Sequence, residues 1–178
     1  SCLPSTSINI ESRVGNYGLV KQFIQINRDV VNSRDSDKMT PLHCAAKGGH
    51  IELVKLLHQQ GARLNARDYV GRTALSIAVK SDNTDNQDIV KYLLEHGADF
   101  KFSDYTGKTL LHFAIERKKW TMAICLIEAG ADRDILDHDG KTPLDYSNLA
   151  DKTVSVIHFE IILFSKSFVK IRKMPLEK

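Results

Sequence analysis

The chain has 178 residues, 42% of them apolar and 26% charged, a balance that excludes a wholly disordered or collagen-like chain and allows a buried core. Its 25 Lys and Arg against 22 Asp and Glu leave a formal charge of +3, too small to imply nucleic-acid binding unless the charge gathers on one face. Along the chain, residues 1–34 hold Val14-Gly15-Asn16-Tyr17-Gly18-Leu19-Val20-Lys21, which aligns with Lys47 to Lys55 if one residue is skipped, and Val31-Asn32-Ser33-Arg34-Asp35, which matches Leu64 to Asp68. A degenerate first unit, acting as a cap, is expected there. Residues 35–67, 68–103 and 104–136 each read as two short helices after a turn. Residues 137–165 open a fifth unit at Thr142-Pro143-Leu144, expected to be a degenerate C-terminal capping repeat. Its second half, rich in β-branched residues over 153–171, leaves helix and strand both open. Residues 166–178 form a basic tail.

Self-comparison shows why the chain divides in this way. Thr40-Pro41-Leu42-His43-Cys44-Ala45-Ala46 recurs as Thr73-Ala74-Leu75-Ser76-Ile77-Ala78, as Thr109-Leu110-Leu111-His112-Phe113-Ala114 and as Thr142-Pro143-Leu144-Asp145, at spacings of 33, 36 and 33 residues. Leu56-Leu57 then Gly61-Ala62, Leu93-Leu94 then Gly97-Ala98-Asp99, and Leu126-Ile127 then Gly130-Ala131-Asp132 form a second recurring landmark. The turns Asp68-Tyr69-Val70-Gly71, Asp104-Tyr105-Thr106-Gly107 and Asp137-His138-Asp139-Gly140 form a third. In each unit Thr caps the first helix, with Pro41 or Pro143 at a position where a missing N–H costs nothing. Small alanines let two helices pack closely, and Leu53-Val54 with Leu56-Leu57 give the second helix an apolar stripe that only stacking can bury.

This order of landmarks resembles the ankyrin repeat, with its Thr-Pro-Leu-His signature and 33-residue period. The resemblance implies an all-α ankyrin-repeat solenoid of helix-turn-helix units linked by β-hairpin-like loops. Two departures stand out. Residues 80–88 carry three extra residues, lengthening one inter-helix turn. Lys38 stands where the other tips have Gly, so that tip is expected to be strained or differently shaped.

Catalysis finds little support. His43 and His112 occupy the His of the signature, where the resemblance implies bonds within their own turn and to the Thr hydroxyl. His138 lies on a tip between Asp137 and Asp139 without convergent metal ligands. Gly-rich phosphate loops and the common hydrolase and metalloprotease motifs are missing. No enzyme activity and no cofactor or metal are expected. Cys2, Cys44 and Cys125 are widely spaced and lack a Cys-x-x-Cys pattern, which points to a reducing setting, cytoplasmic or nuclear. No stretch reaches the roughly 18 apolar residues of a membrane span. The opening Ser1-Cys2-Leu3-Pro4 is unlike a secretory leader, and without an initiating Met a piece of a longer protein is expected.

The resemblance also implies binding of another protein through the tips and the exposed face of the first helices. Carried over position by position, it indicates Met39, Tyr69, Val70, Arg72, Tyr105, Thr106, Lys108, His138 and Lys141 on the tips, with Lys47, Lys80 and Arg117 on the helical face. Tyr69 and Tyr105 share one register and are expected to form a line of anchors beside a basic stripe of Arg72, Lys108 and Lys141. An acidic peptide or protein surface would suit it, bound by a monomer. The rival readings are a regulatory or targeting domain of a larger enzyme, and anionic membrane or nucleic-acid contact through the stripe and the tail, nucleic acid being disfavoured by the low net charge. Asn65 stands in a context that resembles ankyrin asparagines hydroxylated by a cytosolic oxygenase, its plainer role being a bond across its own hairpin.

Overall fold

The computed structural model describes residues 5–83 and 86–147. Their secondary structure is helical, and strand-type pairing is limited to one isolated bridge between Ser103 and Thr109. The fifth unit beyond residue 147, the helix-or-strand alternative over 153–171 and the basic tail lie outside the described residues. The chain divides into two compact units, residues 1–102 and residues 103–178.

The first unit holds α1 (Ser5–Val14), α2 (Tyr17–Ile26), a 3₁₀ turn (Arg28–Asn32), α3 (Pro41–Gly48), α4 (Ile51–Gln59), α5 (Ala74–Lys80) and α6 (Asn86–Glu95). Helices of 7 to 10 residues would not persist alone in water, because nucleation costs more than so few turns return. Packing holds them. α1 lies against α3 and α3 against α5, while α2 lies against α4 and α4 against α6, so the first and second helices of successive repeats form two layers. Leu42, Leu53, Leu57, Leu75, Ile89 and Leu93 are almost wholly buried, each contributing about 1.5–3 kcal/mol from water-excluded apolar area. Residues 81–85 separate α5 from α6, whereas Gly49 and His50 alone separate α3 from α4.

The second unit holds α7 (Leu110–Glu116), α8 (Trp120–Glu128) and a 3₁₀ turn (Pro143–Tyr146), with α8 and the turn both packed on α7. Leu110, Leu111, Ala114, Ala123 and Leu126 form its core.

One device builds all four tips. Asp35 Oδ1 accepts the N–H groups of Asp37 and Met39, Asp68 Oδ1 those of Val70 and Arg72, Asp104 Oδ1 those of Thr106 and Lys108, and Asp137 Oδ1 those of Asp139 and Lys141. Each Asp also exchanges backbone bonds with the residues three and four positions on. Closing this loop requires positive φ at the fourth position, which Gly71, Gly107 and Gly140 supply without strain. Lys38 adopts it too, at φ 57, so its tip is strained rather than differently shaped. A side chain in that region costs about 1 kcal/mol. Lys38→Gly is therefore expected to stabilise the chain by about 0.5–1 kcal/mol in urea unfolding, after the added freedom of the unfolded chain is counted.

Candidate partner-binding surface

Each tip is fixed to a neighbour through the backbone. In the first unit the Tyr69 N–H donates to the Asp37 carbonyl at 2.8 Å, and in the second the His138 N–H donates to the Thr106 carbonyl at 2.9 Å. The roots of the tips are anchored as well. Thr40 donates its backbone N–H to His43 Nδ1 at 3.1 Å, and its hydroxyl meets the same nitrogen at 2.8 Å. The proton therefore sits on Nε2, which donates to the Arg72 carbonyl at 3.0 Å, tying the head of α3 to the next tip. His112 repeats this with Thr109 and the Lys141 carbonyl at 3.1 Å. Ser76 and Asp145 stand at the same register, and each accepts the N–H of its own cap, Thr73 or Thr142. Both imidazoles are buried and serve structure. Burial holds His43 below its ordinary value of 6.5, outweighing the Arg72 carbonyl and Asp68, which pull it upward.

On these rigid supports Tyr69 is 77% and Val70 68% exposed in the first unit, and Tyr105 is 91% exposed in the second. Met39 is not among the exposed anchors. It is 3% exposed and clusters with Cys44 and Ile77, because Asp35 takes its N–H and Asn9 its carbonyl, drawing this end of the tip into the core.

The basic positions are largely engaged. The Arg72 guanidinium donates to Asp68 Oδ2 at 2.7 Å. Burial alone would raise the Asp68 pKa, yet the Arg72 bonds hold it below the usual carboxylate range. Lys108 Nζ lies 3.0 Å from Glu116 and 4.0 Å from the centre of the Tyr146 ring, while Lys141 Nζ lies 5.3 Å from that ring. Tyr146, which sequence reasoning missed, donates its hydroxyl to Asp137 and organises both lysines; its place after Thr142-Pro143 was the only available signal. Lys80 Nζ lies 5.5 Å from the Phe102 ring centre. The Thr106 hydroxyl donates to Asp104 Oδ1. Lys47, Arg117, His138 and Lys141 are exposed.

Asn65 Oδ1 accepts the N–H of Asp99 at 2.8 Å, so it bonds to the following repeat and not across its own hairpin. Asn32 does the same with the Arg63 N–H at 2.9 Å. A second group that sequence reasoning missed joins α4 to α6: His58 Nδ1 lies 2.9 Å from the Tyr92 hydroxyl, and the His58 and His96 rings are 4.9 Å apart. Among the described residues, no three His, Cys, Asp or Glu side chains converge as a metal site. Cys44 is fully buried, which pushes its thiol up to about 11, the opposite of an activated nucleophile. No helix among the described residues is long and apolar enough to cross a membrane.

The family pattern described as ankyrin repeats (3 copies) matches residues 9–104 and 86–158. The chain belongs to the ankyrin-repeat family. It is 41% identical over 58 residues to alpha-latrocrustotoxin-Lt1a of Latrodectus tredecimguttatus, a match that covers 33% of this chain and 4% of the toxin. It is 38% identical over 73 residues to a transient receptor potential cation channel subfamily A member 1 homolog of Caenorhabditis elegans, covering 41% and 6%. With the serine/threonine-protein kinase VIK of Arabidopsis thaliana it shares 41% identity over 59 residues, covering 33% and 14%. The matched segments thus span a small fraction of each relative. Ankyrin repeats are generally protein–protein interaction modules, and these relatives carry them as parts of larger proteins.

Proposed function

We propose that this ankyrin-repeat chain binds a partner protein through its tips, with Tyr69 and Val70 as the anchors of the first unit and Tyr105 as the anchor of the second. The observation that carries this reading is large apolar side chains standing out on tips whose backbones are locked by Asp68 and Asp104. A rigid tyrosine offers contact area and a hydroxyl at low entropic cost, and little order remains to be created on binding. Arg72 and Lys108 already pair with Asp68 and Glu116, so an acidic partner would gain less from them than their formal charges suggest. Apolar side chains in the partner matter more than acidity. The activities named for the relatives belong to proteins of which this chain matches 4% to 14%. A regulatory or targeting role inside a larger protein remains compatible with the tip-binding proposal.

A phage-displayed peptide selected against the whole chain supplies the test, its affinity read by fluorescence polarisation. Tyr69→Ala and Tyr105→Ala are each expected to weaken binding by about tenfold, the loss typical of an aromatic anchor. Lys47→Ala is expected to change it by less than about threefold. Unchanged affinity in the Tyr69→Ala, Tyr105→Ala double variant would overturn the proposal.

A further inference from the structure

The first repeat ends in an apolar face whose register identifies what fits it. Asn9 Nδ2 donates to the Met39 carbonyl at 2.9 Å as His43 Nε2 donates to that of Arg72 at 3.0 Å. Gly15 and Gly49 then turn the chain at φ 84 and 82, and Asn16 and His50 precede α2 and α4. This 34-residue offset pairs Ile10 with Cys44 and Leu19 with Leu53. Cys44 is 0% and Leu53 1% exposed, in helices that have α1 and α2 packed in front of them. Their counterparts Ile10 and Leu19 are 59% and 39% exposed, and Val14 and Tyr17 are exposed as well, at 65% and 43%. Val14 follows Ile10 by four residues, placing both on one face of α1. A terminal capping repeat needs a polar outer face. This one keeps apolar residues at Ile10 and Leu19, where Cys44 and Leu53 bury, although Glu11 and Gln22 stand at the positions of buried Ala45 and Leu56.

We propose that the outer face of α1 and α2 is an inter-repeat interface and that its occupant is a further helix-turn-helix repeat of the same construction, seated on α1 and α2 as they are seated on α3 and α4. The first repeat is then an internal unit of a stack and not its cap.

The test joins a copy of residues 35–67 ahead of Ser1 in the otherwise complete chain and compares hydrogen exchange with that of the unmodified chain. Amides of α1 and α2 are expected to exchange at least about tenfold more slowly in the extended chain, because local opening must then break the added interface. Adding Ile10→Ser with Leu19→Ser should abolish that slowing while leaving exchange in α5 and α6 unchanged. Unaltered exchange in α1, or slowing that survives the double substitution, would overturn the proposal. Two other occupants give distinct results that also overturn it. A sedimenting dimer of the unmodified chain that Ile10→Ser dissociates would mean a second copy. Faster α1 exchange after removal of residues 148–178 would mean the chain's own terminal segment.

Discussion

Gly48→Ala is expected to destabilise the chain by about 3 kcal/mol, the upper range for overpacking a close contact, although alanine is the better helix former. A Cβ at this position would stand 2.4 Å from the Arg13 carbonyl oxygen and 2.6 Å from the His50 ring. The carbonyl belongs to the end of α1 and cannot rotate away as a side chain can. His50 is held in turn by its Nε2 bond to that carbonyl at 2.9 Å. The added methyl must therefore push α1 away from α3, loosening a contact that buries Ile8. Gly18→Ala supplies the opposite sign. It is the second residue of α2 with only the Asn16 side chain near, at 3.9 Å, so a gain up to the interior helix-propensity difference of about 0.5–1 kcal/mol should appear. Urea unfolding of both variants checks the pair; similar signs would contradict the packing of α1 on α3.

His43→Ala is expected to cost about 2–4 kcal/mol, combining a cavity with the loss of hydrogen-bond partners for the Thr40 N–H and hydroxyl. His43→Ser should cost less, about 1–2 kcal/mol, since Ser76 shows that a hydroxyl can accept the cap N–H while being too short to reach the next tip. Acid adds a second readout. Burial keeps the folded-state pKa of His43 below 6.5 despite the Arg72 carbonyl and Asp68, with Arg34 also lowering it. Below 6.5 the unfolded chain binds a proton that the folded chain refuses. Stability from this group is thus complete above about pH 6.5 and is lost as pH falls through the depressed folded value. Thermal unfolding between about pH 7.5 and pH 5 should show a shallower decline in His43→Ser than in the parent chain. Identical slopes would mean that His43 does not titrate in this way.

Much of this was legible in the sequence because each feature depends on a residue type at a fixed register. Thr before Pro41, His three residues after Thr40, and Asp opening each tip specify caps and turns by local chemistry. Their hydrogen bonds are those that the residue types allow. The side-chain environment of the tips was less legible. Met39 was expected among exposed anchors by register alone, but its backbone is bound on both sides by Asp35 and Asn9, and its side chain finds Ile77 from the following repeat. The basic stripe was read as one row of charges. Arg72 instead folds back on Asp68 four residues earlier, and Lys108 reaches Glu116 eight residues on, beside Tyr146. The pairing of Lys108 with a helix residue follows no period, so no pattern announces it. Asn65 differs, since its bond to Asp99 repeats that of Asn32 to Arg63 once the three-residue insertion is allowed for.

These tips join two properties that work together. Asp-centred loops and His43 or His112 fix the backbone, so in the proposed binding Tyr69 and Tyr105 would meet a partner already ordered. Among the described residues the non-glycine positions at positive φ are Lys38 and Lys118, and neither tyrosine is one of them.

Backbone NMR of the isotopically labelled chain, titrated with the selected peptide, tests tip binding most directly. The account predicts that the largest shift changes fall on the amides of Tyr69, Val70, Tyr105 and Thr106, with α4, α6 and α8 little moved. Changes confined to α4, α6 and α8, with those tip amides unmoved, would contradict it.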